Sequence, residues 1–405
     1  MLSSNNVYEL MHKDKKVGLI NLDVTGNVVN YVPINGEYSP FMGNADLNKI
    51  KVWWSQRSVP GSRKIMEEVI KKAGCLNSAE YLAKNMALSM TDAYWLCPID
   101  ISISWEDVKL RNQLGVNKGI LPYHNATSYD PNASLGGQME KYWDLNGEIP
   151  VLVKTSLIHK GQQGVNEAFA TMLHQRQKST IPYVKYSVDR LNDEQTQCFC
   201  DEFTSDSKEL INAYEVVESQ KTSNSISVYD SYIEICAGNG IDREVIQQFM
   251  DYQTLTDFII SNDDEHLLNF GVLRDSETFK LIGPAPIFDS GNSMFFSEYK
   301  DEAYTRAEIL ERTITSFFKS EDKMLSKVKD KGIVKTDLLP TVDEAFEFYA
   351  DNGIPEQKAS FIANCYGVKL EMVNEFQHGK KISLYHEKHP AQEEKSNFAL
   401  KKTKR

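Results

Sequence analysis

The 405-residue chain has no apolar run near the roughly 20 residues that a membrane-spanning helix requires. Its first residues, MLSSNNVYELMHKDKK, lack the apolar centre of a signal peptide, so the cytoplasm is the expected compartment. Cysteine is scarce and scattered. Cys75, Cys97, Cys198, Cys200, Cys236 and Cys365 do not make the dense framework of a small secreted domain. Cys198 and Cys200 are too close together for a zinc knuckle, no second pair follows, and H-E-x-x-H is absent, so no Cys/His metal site is expected. Basic residues are outnumbered, with a net charge of −12, which argues against tracking a phosphate backbone. The basic cluster KKTKR at the end has no interleaved aromatic and reads as a solvated tail. Direct contact with nucleic acid or with a membrane is therefore not expected.

What is present is a globular composition, long enough for two or three packed units. The runs VYELM, KVGLINLD and NVVNYVPI are β-prone and separated by turn residues. After Ser62 the pattern turns helical, with Ile65, Val69 and Ile70 in register and Asn77 and Thr91 read as N-caps. Trp53, Trp54, Tyr94, Trp95 and Trp105 read as core packing. The turn-rich stretch from Pro122 to Gly137 marks the expected domain boundary. Beyond it come the strand IPVLVKT, the helix GVNEAFATMLHQR, the β-prone IPYVKYSV and a loop carrying CFCDEFT. Helix then dominates from Ser207 to Tyr366, interrupted by the short strands NFGVLR and FKLIG. This order predicts an α+β, two-lobed fold. Its parts are an N-terminal mixed region (1–125), a small β-rich lobe (126–205), a larger helical lobe (206–378) and a charged, disordered tail (379–405).

Chemistry concentrates in SNDDEHLLNFGVL, Ser261 to Leu273, where an acidic patch separates an apolar helix from an apolar strand. Spacing alone fits a solvated turn equally well. Some twenty residues on, APIFDSGN brings Asp289 to a strand end beside a Ser-Gly turn. An Asp-x-x-x-x-Asn loop, a hairpin and a strand-end Asp are what a kinase needs. Asp264 would take the acceptor's proton, and the oxygens of Asn269 and Asp289 would hold Mg²⁺ on the phosphates of ATP. Upstream, SLGGQMEK (Ser134 to Lys141) offers glycine N–H groups to phosphates. Lys154 in VLVKT and Glu167 at the head of the next helix form a possible strand–helix ion pair aimed at the same phosphates.

The motifs SQRSVPGSRK, ASLGGQMEKYW, PVLVKTS, NEAFA, SNDDEHLLNFGVLRD and APIFDSGNSMF, in this order, resemble those of the HipA-like kinases from about Ser55 to Met294. The resemblance implies a two-lobed protein-kinase-like or phosphoinositide-kinase-like fold and a serine/threonine kinase that uses ATP and Mg²⁺. It implies Asp264 as catalytic base with His266 beside it at the nucleotide, Asn269 and Asp289 as metal ligands, and Lys154 on the phosphates. Gly136, Gly137 and Lys141 would belong to the nucleotide loop, and Ser134 would be a site of autophosphorylation. Asp201, Glu202 and Phe203 would line the adenine side. A protein substrate and a helix-turn-helix antitoxin-like partner are the implied associates. The D-x-H-x-x-N loop is also similar to that of phosphoinositide kinases, where the position of Glu265 commonly holds Arg. A small-molecule or lipid kinase and a nucleotide-binding pseudokinase regulator are the alternatives on the same scaffold.

Overall fold

A computed structural model describes residues 6–43, 45–60, 63–116, 129–221, 223 and 225–389. The three β-prone runs at the start form β1 (Val7–His12), β2 (Lys15–Leu22) and β3 (Val28–Pro33), joined by β4 (Tyr94–Pro98). They make one antiparallel sheet in the order β3-β2-β1-β4. Tyr8, Leu10, Val17 and Ile20 bury against Ile50, Trp53 and Trp54 of α1 (Leu47–Arg57). Three further helices complete this region: α2 (Lys64–Lys72), α3 (Ser78–Lys84) and α4 (Trp105–Val108). Asn77 caps α3 as expected, accepting the Glu80 N–H at 2.9 Å. Thr91 caps no helix. The chain continues into β4, and the Thr91 carbonyl accepts the Leu210 N–H at 2.9 Å, so a pairing with a distant segment overrides the local signal.

A second antiparallel sheet contains β5 (Glu140–Asp144), β6 (Val151–Ser156), β7 (Ser187–Asn192) and β8 (Gln195–Asp201) in the order β5-β6-β8-β7. Helix α5 (Gln162–Gln177) packs on it and buries Val165, Phe169 and Leu173. The CFCD part of the expected loop is instead the end of β8. Thr196, Cys198 and Cys200 point inward at period two, and the intervening residues lie nearer to solvent. Two cysteines in a strand serve here as small apolar side chains.

The third sheet, β9 (Lys208–Asn212), β10 (Gly271–Asp275) and β11 (Leu281–Pro284), runs in the order β11-β10-β9 and belongs to the helical lobe. That lobe adds α6 (Ala213–Glu218), α7 (Val228–Gly238), α8 (Arg243–Ile260), α9 (Arg306–Glu311), α10 (Glu321–Leu325), α11 (Val342–Asp351), α12 (Glu356–Gln377) and α13 (Leu384–Lys388). Phe249, Leu255, Phe258 and Ile259 of α8 share a core with Phe361, Ile362 and Met372 of α12. Each such side chain contributes about 1.5–3 kcal/mol on burial, which fixes the helix whose end presents the acidic loop. Of the stretch expected as a tail, residues 379–389 include α13, held by Arg306 to Glu387 at 2.9 Å; residues 390–405 lie outside the described residues. Residues 117–128, on which the expected boundary falls, lie outside them too.

The N-terminal sheet and the helical lobe are joined by buried charge. Glu209 of β9 accepts from His12 of β1 at 2.6 Å and from Arg274 of β10 at 2.7 Å, and Arg274 also donates to the Tyr94 hydroxyl at 2.9 Å. Burial pushes the Glu209 carboxyl up, but His12 and Arg274 outweigh it and hold it down to about 2. Among the described residues no helix is long and apolar enough to cross a membrane.

Candidate active site

The three regions enclose a cavity of about 540 Å³, within the size range of small-ligand sites. Its wall includes Ser134, Gly136, Gly137, Lys141, Lys154, Phe203, Asp264, His266, Asn269 and Asp289. Residues predicted from segments far apart in sequence are thus brought together around one space. Asp201 and Glu202 border it as well.

Strand β6 carries Lys154 into this wall, and the first turns of α5 set Glu167 behind it. Lys154 Nζ donates to Glu167 Oε1 at 2.6 Å and to Asp289 Oδ1 at 2.7 Å. Lys154 and Glu167 are only 2% and 1% exposed, so each charge depends on the others for compensation. Burial alone would push the Lys154 ammonium down; Asp289 and Glu167 outweigh it and raise it well above the ordinary lysine value. Burial likewise pushes the Asp289 carboxyl up, but Lys154 and Lys141 hold it below the usual carboxylate range. The second oxygen of Glu167 accepts the Ser290 N–H at 3.0 Å, tying α5 to the Asp289 turn. Asp289 itself sits at φ 65°, a left-handed conformation uncommon for a non-glycine residue.

The acidic loop begins where α8 stops at Ser261, also left-handed. Asn269 Nδ2 donates to the Asp264 carbonyl at 2.7 Å, closing the loop on itself and turning its amide oxygen away from that bond. Asn292 Nδ2 donates to Asp264 Oδ2 at 2.8 Å, and Gln163 of α5 donates to Asn292 Oδ1 at 2.7 Å. The carboxylate of Asp264 is thereby oriented by Asn292, which Gln163 holds in turn. His266 Nε2 lies 3.9 Å from Asp264 Oδ1, near but beyond a hydrogen bond.

Glu265 takes no part in this wall. Its carboxyl accepts from Gln253 and, at 3.1 Å, from Asn262, and it borders a separate small cavity with Thr254, Asp257 and Glu321. Burial, with Asp257 beside it, raises the Glu265 carboxyl well above its ordinary value. The charge reversal seen in the sequence is therefore turned inward.

In the glycine loop, Ser134 ends a short 3-10 turn, Pro131–Ser134, and Gly137 has φ +83°. A Cβ on Gly137 would stand 2.9 Å from Lys141 Nζ, so a side chain there would be strained and would displace the lysine. Also on the cavity wall, the Phe203 and Phe288 rings lie 5.6 Å apart. The Glu202 carboxylate is engaged by Arg111 and by Thr204 Oγ1 at 2.7 Å, and its N–H donates to Pro150. Glu202 thus secures this edge to the N-terminal region through its side chain. Sequence reasoning gave no role to Asn292, Gln163 or Phe288. Asn292 and Phe288 flank Asp289 within APIFDSGN and could have been weighed for that nearness; nothing in the sequence links Gln163 to Asp264.

No protein-family model and no curated protein matches the chain. Solved structures do. The HipA of Shewanella oneidensis MR-1, determined in a complex with HipB and operator DNA, covers 92% of this chain and 100% of its own at a TM-score of 0.53 and 14% identity. The chain has the HipA fold. The proinflammatory kinase CtkA of Helicobacter pylori also aligns, at 13% identity and a TM-score of 0.43, over 59% of this chain and 96% of its own. At 92% of the chain, the alignment reaches into the N-terminal region as well as both lobes. In this fold, Lys154 and Glu167 stand on the small lobe, and Asp264, Asn269 and Asp289 on the large lobe opposite.

Proposed function

We propose that this chain is a protein serine/threonine kinase that transfers the γ-phosphate of ATP with Mg²⁺. The observation that carries the reading is the convergence of Lys141, Lys154, Asp264, Asn269 and Asp289 on one cavity. Two lysines facing a carboxylate, an amide and a loop with two glycines suit a polyphosphate and its cation.

Asn269 and Asp289 fit the metal. Both offer hard oxygens, Asp289 is held ionised by its lysines, and Asn269, on the cavity wall, uses its amide N–H and not its oxygen on the Asp264 carbonyl. Bound there, Mg²⁺ supplies charge neutralisation on the phosphates. The chain's own residues do the rest. Lys154 and Lys141 hold the phosphates, while Phe203 and Phe288 offer flat apolar faces to the base. Asp264, aligned by Asn292, accepts the proton of the acceptor hydroxyl as that oxygen bonds to the γ-phosphorus. The bond from phosphorus to the β-γ bridging oxygen breaks, and ADP leaves with that electron pair.

Ser134, on the cavity wall, is a candidate acceptor within the chain itself. The Shewanella HipA was determined with HipB and operator DNA. By analogy we propose a helix-turn-helix partner for this acidic chain, with the partner making the DNA contact. The test is incubation of the purified chain with γ-labelled ATP and a panel of proteins, with and without Mg²⁺. Label on a protein hydroxyl that disappears without Mg²⁺ and in Asp289→Asn supports the proposal; ATP binding with no transfer to any protein, itself included, contradicts it.

A further inference from the structure

Arg63 belongs to SQRSVPGSRK, a motif with no assigned role, and it lies in the N-terminal region rather than in either lobe. Its side chain is 1% exposed. Its guanidinium nevertheless reaches across to the glycine loop. Nε donates to the Gly137 carbonyl at 3.0 Å, and one terminal nitrogen donates to the carbonyls of Gly136 at 2.6 Å and Gly137 at 2.7 Å. The same region touches the loop again at Gln56, whose carbonyl would stand 3.2 Å from a Cβ on Gly136.

We infer that Arg63 is a positioning residue for the phosphate-binding loop, so that the N-terminal region forms part of the nucleotide site. The reasoning is geometric. In a trans peptide the C=O and the N–H point in opposite directions, and all described peptides here are trans. Gripping the carbonyls of Gly136 and Gly137 therefore directs the N–H groups of Gly137 and Gln138 away from Arg63. Gly136, Gly137 and Gln138 line the cavity, together with Lys141 and Lys154, so the loop backbone is held in shape for an anion there. A Gly-Gly pair with one positive φ has many alternative conformations. A forked donor fixed in the neighbouring region removes most of them before the ligand arrives. The inference rests on the nucleotide reading above and adds to it what holds the loop.

The experiment is calorimetric titration of the full chain with Mg-ATP and, separately, with adenosine, which has the base and sugar but no phosphate. Arg63→Ala is expected to weaken ATP binding by about tenfold or more, while adenosine affinity stays within about twofold of wild type. Arg63→Lys, which keeps the charge but not the fork, is expected to fall between. Arg63→Ala that binds ATP like wild type overturns the inference. Equal losses for ATP and adenosine overturn it as well, since they mean Arg63 only supports the fold. A wild-type chain with no preference for ATP over adenosine would instead overturn the phosphate reading beneath it.

Discussion

Lys141 of β5 and Lys154 of β6 stand directly opposite each other in the antiparallel register of the small-lobe sheet. Directly opposed like charges destabilise a sheet, and here they face a cavity wall. Lys154 is matched by Glu167 and Asp289. Lys141 feels burial first, then the pull of Asp289 and the repulsion of Lys154 and Arg63, and its ammonium is pushed down to about 8. The cationic form binds an anion, so ATP affinity is expected to fall as pH rises through about 8, where the free chain loses that proton. Affinity measured from neutral pH upward in wild type and Lys141→Arg checks this. The arginine variant should show no such inflection, and an identical inflection in both would assign it to another group.

Removing Lys154 leaves Glu167 buried beside Asp289 without its cation. Breaking a buried pair in this way costs about 3–5 kcal/mol, so Lys154→Met should unfold at distinctly lower urea. The double variant Lys154→Met with Glu167→Leu should recover part of that stability and none of the phosphotransfer. Full stability in the single variant would mean that the pair is not closed in solution.

Asn292 touches Asp264 but is not among the proposed metal ligands. Asn292→Ala frees the Asp264 carboxylate to rotate while leaving Lys154, Lys141 and the glycine loop in place. The expectation is a fall in kcat of about 10–100-fold, with the KM for ATP within about twofold. Steady-state kinetics at fixed protein acceptor reads the split; a loss confined to KM would place Asn292 in binding instead.

Asp257 lies beside Glu265 of the acidic loop, and burial pushes its carboxyl from 3.8 up to about 7. An unfolded chain releases that proton near 3.8, whereas the folded chain keeps it until about 7. The contribution to stability is therefore complete below 3.8 and is lost as pH rises to about 7. Asp257→Asn keeps an oxygen to accept from Asn262 and removes the titration. Its Tm relative to wild type should rise between pH 5 and pH 8, and a constant difference across that range would contradict the assignment.

How far the sequence disclosed this arrangement differs from residue to residue. Asp264, Asn269 and Asp289 stood out because each lies where an apolar element meets a polar break, and Lys154 because it is a lone cation inside an apolar strand. The strands β1–β3 were legible as β-prone runs between turn residues, and helix α8 from its apolar side chains. Thr91 was misread because a capping residue and a strand-entry residue look alike until the pairing with Leu210 is known. CFCDEFT was misread because cysteine carries little strand signal, although its alternation with Thr196 was there to count. Arg63 and Asn292 were not assigned because their roles depend on approach in space, over 73 residues from Arg63 to Gly136 and 28 from Asn292 to Asp264. Glu265 had no role assigned from the sequence, and one step along the backbone from Asp264 turns it to the other side of the loop.

As the proposed base, Asp264 serves transfer rather than binding. Single-turnover transfer of labelled γ-phosphate should therefore be measured in wild type and Asp264→Asn, alongside ATP affinity of both. In that role, Asp264→Asn should bind Mg-ATP within about threefold of wild type and transfer phosphate about 10²–10⁴-fold more slowly. Transfer at the wild-type rate by the purified variant would contradict it.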